Sequence, residues 1–123
     1  MGKILLVDDD NATNFYNKYI LNKNNVNFEI IVLENGLKAL NYLKDIEIPD
    51  FIFLDINMPV MGGIQFLEES YKHFDDRLDK VKIYVMMSVE LSEENLHVIQ
   101  KSNIEIIKSK VLDVAFIDKV LKN

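Results

Sequence analysis

Phe51-Ile-Phe-Leu-Asp55 is a short apolar run that stops on a carboxylate. Such a run is read as a strand buried on both faces, as in a parallel sheet, with its charged end emerging at one edge. Two further stretches repeat the pattern. Residues 4–10 read Ile-Leu-Leu-Val-Asp-Asp-Asp, and residues 104–108 read Ile-Glu-Ile-Ile-Lys. In open α/β sheets the carboxyl edge of the strands is where ligands bind. Asp8, Asp9, Asp55 and Lys108 are therefore expected to meet in one pocket. Carboxylates 4 Å apart repel by on the order of 1–4 kcal/mol per pair, and a hard divalent cation offsets that repulsion.

Working outward from these runs, five apolar segments recur at 3–7, 28–33, 50–54, 82–87 and 104–108. Helical periodicity fills the gaps between them. The spacing predicts inward faces of Phe15, Tyr19 and Ile20 in the first helix and of Leu37, Leu40 and Leu43 in the second. Ile64, Leu67, Tyr71 and Phe74 mark the third, Leu96 and Ile99 the fourth, and Phe116, Ile117, Val120 and Leu121 the fifth. Ser92 suits an N-cap, with Glu93 and Glu94 in the first turn where the helix dipole favours them. Alternating strand and helix predicts a five-stranded parallel sheet, order 2-1-3-4-5, with helices on both faces: a flavodoxin-like α/β fold. One domain over 1–123 with no output domain is expected.

The net charge of −6 argues against a basic nucleic-acid-binding face. Cysteine is absent, which removes disulfide and thiol chemistry. No apolar stretch reaches the roughly 20 residues of a membrane helix, and the first strand begins too early for a signal peptide. A cytoplasmic protein is the default expectation.

Asp55-Ile-Asn-Met-Pro-Val-Met-Gly-Gly63, the acidic pair Asp8-Asp9, Ser88 after the fourth strand and Lys108 after the fifth together resemble the receiver domain of bacterial two-component response regulators. Singly, each has a plainer reading. The acidic run could cap a helix, Lys108 could be solvated, and Gly62-Gly63 could be a flexible turn. Their joint occurrence at strand ends favours the functional one. The resemblance implies that Asp55 accepts a phosphoryl group from a phosphohistidine on a histidine kinase or phosphotransfer protein. It implies Mg²⁺ held by the side chains of Asp9 and Asp55 and the Asn57 carbonyl, with Asp8 acting through water. Ser88 and Lys108 would bind phosphate oxygens. The outcome would be a switch, not an enzyme acting on outside substrates. It would signal a protein target through helix 4, strand 5 and helix 5.

Several positions depart from the family pattern. Ser109 follows Lys108 where proline is usual, so a trans Lys108–Ser109 bond is expected. Glu105 stands where the family has a switch aromatic; it is expected to stay exposed, leaving the switch to the loop after Ser88 and the fourth helix. Val89, commonly alanine, either narrows access to Asp55 or continues the strand. Asn57 and Glu90 flank the phosphoryl position in a pairing that resembles chemotaxis-type receivers. A degenerate receiver binding partners without phosphorylation is the competing reading. A flavin or nucleotide binder is opposed by the acidic run after the first strand, which would repel an anion. A metal-dependent hydrolase lacks an evident base beyond the carboxylates. His73 and His97 are expected at the surface.

Overall fold

A computed structural model describes residues 2–45, 48–88 and 90–122, without the Asp75 side chain. Strands β1 (Gly2–Val7), β2 (Phe28–Leu33), β3 (Phe51–Asp55), β4 (Lys82–Met86) and β5 (Ile104–Ile107) pair in parallel in the order β2-β1-β3-β4-β5. Both the strand positions and the order agree with the sequence reading. Helices α1 (Asn11–Lys23), α2 (Gly36–Asp45), α3 (Gly63–Phe74) and α4 (Glu93–Val98) lie in the crossovers, and after β5 helix α5 (Val114–Phe116) runs directly into a π-helical turn, Ile117–Leu121. A 3₁₀ segment, Asp75–Lys80, joins α3 to β4. No helix among the described residues is long and apolar enough to cross a membrane.

The period-two alternation of the central strands builds a core on each face of the sheet. Leu5, Val7, Ile52, Leu54, Ile83 and Val85 face α2, α3 and α4, where Leu40, Leu43, Phe66, Leu67, Phe74 and Ile99 close over them. Ile4, Leu6, Phe53, Tyr84 and Met86 face Ile20 and Leu21 of α1 and Ile117 and Leu121 at the C-terminus. The expected stripes of α3, α4 and the last helix thus hold: Ile64, Tyr71, Leu96, Phe116 and Val120 pack, half-buried, against these cores.

The first helix differs from expectation. Phe15 is 76% exposed and Tyr19 52%, while Asn14 and Asn17 are buried with Ile20 and Leu21. Helical periodicity fixes which residues share a face but not which face turns inward. Here the inward face carries the two amides because they meet backbone groups of neighbouring loops. In α2, Leu37 likewise lies 40% exposed, and Ala39 takes its place inside.

Helix starts follow local chemistry. Asp10 caps α1, its carboxylate accepting from the Thr13 N–H at 3.0 Å, and Ser92 caps α4, accepting from the Asn95 N–H at 3.2 Å. Asp113 caps α5, accepting from the Phe116 N–H at 2.8 Å. Gly63 is buried and its amide donates to the Ile56 carbonyl at 2.9 Å; a Cβ there would strike the Asp55 carbonyl oxygen. The reason for glycine is this close approach of α3 to the end of β3, not turn flexibility.

Candidate functional site

Asp8 follows β1 directly and Asp55 is the last residue of β3, and β1 and β3 are adjacent. Neighbouring parallel strands of matched register deliver both carboxylates to one edge. Asp8, Asp9 and Asp55 each offer an oxygen, and these oxygens lie within 4.8 Å of one another. Asp8 and Asp55 are buried and Asp9 is exposed, so the cluster opens to solvent on one side. The Asp8 backbone is held from both sides: its N–H donates to the Leu33 carbonyl at 3.1 Å, and its carbonyl accepts from Asn14 Nδ2 at 2.8 Å. Its Oδ1 accepts from the Asp10 N–H at 2.9 Å.

Burial pushes the Asp8 carboxyl up to about 6, and the negative charges of Asp55 and Asp9 push the same way; the Asp10 N–H bond and the Lys110 charge oppose the rise. At that value a proton competes with any cation for the Asp8 carboxylate. Three oxygen donors in this spacing, open on one side, can hold a divalent cation that keeps waters or a ligand oxygen in its remaining positions.

The cation that reaches Asp55 is Lys110, whose Nζ forms an ion pair and hydrogen bond with Asp55 Oδ1. Sequence reading placed Lys108 in this role. The structure instead puts Lys108 in a separate groove of about 550 Å³ lined also by Met87, Ser88, Leu91, Leu96 and Ile106. The correction has a simple cause. β5 ends at Ile107, and the chain then turns through residues 108–113, so the lysine that bends back over the sheet edge is two residues farther on. No local signal separates the two lysines, which flank Ser109 alike just past the same apolar run. Counted back from Lys110, the position expected for a switch aromatic falls on Ile107, and the residue after the lysine is Val111.

Asp55, Asn57, Ser88 and Lys110 line one small cleft of about 70 Å³, with Ile56, Met87 and Leu91. Ser88 also lines the larger groove, so a single residue borders both spaces. Glu90 is exposed in that groove. Val89 lies outside the described residues. Glu105 is exposed, as expected, beside Tyr84, whose hydroxyl is pushed up by burial and then by the Glu105 charge. Every described peptide bond is trans, Lys108–Ser109 included. His73 and His97 are both exposed; His73 Nε2 lies 3.5 Å from Glu69.

Residues 4–122 match the response regulator receiver domain family. Chemotaxis protein CheY of Bacillus subtilis is 41% identical over 68 residues, which is 54% of this chain and 54% of that protein. The chain spans 18% to 59% of the length of other curated relatives it matches. A two-component response regulator from Cytophaga hutchinsonii superposes with a TM-score of 0.81 at 26% identity, covering 95% of this chain and 91% of that one. The Mn²⁺-bound form of response regulator Rcp1 superposes at 0.73 with 23% identity, covering 99% and 90%; at that identity the likeness is one of fold.

Proposed function

The chain belongs to the response regulator receiver domain family, and on that premise we propose that it is a phosphoacceptor switch of a two-component or phosphorelay system. The observation that carries this reading is the meeting of Asp55 with Asp8 and Asp9 on one side and with Lys110 and Ser88 on the other. Asp55 is the nucleophile. One of its carboxylate oxygens attacks the phosphorus of a phosphohistidine on a histidine kinase or phosphotransfer protein. The P–N bond breaks, a P–O bond forms, and the imidazole leaves.

Phosphoryl transfer depends on positioning and on neutralising the equatorial oxygens. Lys110 supplies a compact ammonium and Ser88 a hydroxyl donor for two of them. Asp9 and Asp55, with the Asn57 carbonyl, would hold Mg²⁺, and Asp8 would act through a bound water. The ion's contribution is neutralisation of charge on the transferring group. Because Lys110 already pairs with Asp55, its ammonium is at hand to pass from the carboxylate to the incoming phosphate.

The signal leaves through Ser88. This residue borders both the Asp55 cleft and the groove formed with Leu96 of α4 and Ile106 of β5. Drawing Ser88 toward a phosphoryl oxygen reshapes the groove side and alters the α4–β5–α5 surface offered to a partner protein. Cellular placement in the cytoplasm accords with this role.

The test is incubation with Mg²⁺ and acetyl phosphate, or with beryllofluoride, read by intact mass and by NMR. Wild type gains one phosphoryl group and Asp55→Asn gains none. A wild type that takes up neither reagent would favour the second reading, a phosphorylation-independent interaction module. The apolar groove and the absence of an aromatic at Ile107 support that alternative.

A further inference from the structure

We propose that Asn17, on the inward face of α1, is the positioning residue that holds Lys110 over Asp55. The inference rests on the phosphoacceptor reading above. Asn17 is only 4% exposed. Its Nδ2 donates to the Lys110 carbonyl at 3.2 Å, and its Oδ1 accepts from the Leu112 N–H at 2.9 Å. The two bonds fix the amide orientation, because only the oxygen can accept and only the nitrogen can donate. They also bracket Val111, so one side chain spans the turn that carries the site's cation.

Among the described residues, few other bonds hold that turn beyond the ion pair of Lys110 with Asp55. Ser109 Oγ donates to the Val111 carbonyl and accepts from its N–H, but these bonds lie within the loop and are exposed. Leu112 is buried and anchors the far end. Asn17 is thus the tie from the Lys110 backbone to a rigid element. One turn earlier on the same helix face, Asn14 donates to the Asp8 carbonyl. A single turn of α1 therefore braces the loop bearing the acidic cluster and the loop bearing the lysine.

This accounts for the reversed face of α1. A buried amide costs free energy unless its bonds are made, and an aromatic would fill the same space without that requirement. Phe15 and Tyr19 nevertheless face outward while the asparagines face inward. What the amides gain is a fixed position for two loops, through the carbonyls of Asp8 and Lys110 and the N–H of Leu112.

The experiment is a double-mutant cycle with Asn17→Ala and Lys110→Ala, read by the rate of phosphorylation from acetyl phosphate in Mg²⁺ and by beryllofluoride affinity. Cation affinity is measured in parallel, at a temperature where circular dichroism shows each variant folded. Asn17→Ala is expected to slow phosphorylation about tenfold, in line with the cost of small misplacements, while cation affinity changes less than about twofold. In the Lys110→Ala background it adds less than about twofold, because it acts through the lysine. Asn17→Asp, which keeps the acceptor for Leu112 N–H and loses the donor, gives an intermediate rate and stands in should the alanine variant not fold. Equal losses in both backgrounds, or an unchanged rate in the single variant, overturn the proposal and leave the phosphoacceptor reading intact. A wild type that takes up no phosphoryl group and binds no beryllofluoride overturns both.

Discussion

Lys110 and Asp55, 55 positions apart in the chain, form an ion pair at the carboxyl edge of the sheet, in a cleft shared with Ser88. The pair sets a cation against the one carboxylate that ends the central strand. Removing Lys110 leaves the buried Asp55 carboxylate beside Asp8 and Asp9 with its charge poorly compensated.

Lys110→Ala is therefore expected to weaken beryllofluoride binding and slow phosphorylation by about 10- to 100-fold, the worth of a charge-assisted hydrogen bond. Lys108→Ala, in the neighbouring groove, is expected to change either by less than about threefold. Titrations of both variants check this, and the reverse ranking would return the role to Lys108.

Asp8 gives the protein a distinct pH dependence. Its folded carboxyl titrates near 6 against an ordinary 3.8, so the folded state holds more protons than the unfolded one between those values. Stability contributed by the neutral form is present below about pH 4 and is lost as pH rises through about 6, on the order of 2–3 kcal/mol in the cation-free protein. Urea denaturation across this range measures the slope. Asp8→Asn, which keeps an oxygen acceptor for the Asp10 N–H, should flatten it. Divalent cation should bind more tightly as pH rises through 6, since it competes with the same proton.

The orientation of α1 can be tested by stability alone. Phe15→Ser is expected to change unfolding free energy by less than about 0.5 kcal/mol, as at an exposed position. Asn14→Ala, which strips a buried donor from the Asp8 carbonyl, should cost about 1–3 kcal/mol. Denaturant midpoints that rank the two the other way would mean that α1 packs on its aromatic side.

Val60, in the loop between β3 and α3, has φ 70° and is 74% exposed. A β-branched residue in the left-handed region carries roughly 1–2 kcal/mol of backbone strain that no buried contact of its own offsets. Val60→Gly is expected to raise the melting temperature by about 3 °C, after allowance for glycine's greater freedom in the unfolded chain. A lower melting temperature would show that Val60 is held there by something its exposure does not reveal.

The strands and their order were legible because buried parallel strands write themselves as unbroken apolar runs. Phe51-Ile-Phe-Leu and Ile4-Leu-Leu-Val admit few other readings. The acidic half of the site was legible for the same reason, since Asp8 and Asp55 are tied by strand register to one edge. Asn14 and Asn17 gave no such signal. A polar residue within a helix reads as solvent-facing unless its distant partners are known, and those partners are backbone groups of Asp8, Lys110 and Leu112.

By itself, the sequence determined the layered α/β architecture and the gathering of Asp8, Asp9 and Asp55, since both follow from strand periodicity and strand ends. Only the tertiary structure decided which lysine faces Asp55 and which side of α1 turns inward. Lys108 and Lys110 are nearly equivalent as local sequence, both flanking Ser109 just past an apolar run. Their fates separate where β5 stops and where burial of Leu112 and the Asn17 amide fix the following turn, and the two Asn17 bonds reach across more than ninety positions of the chain.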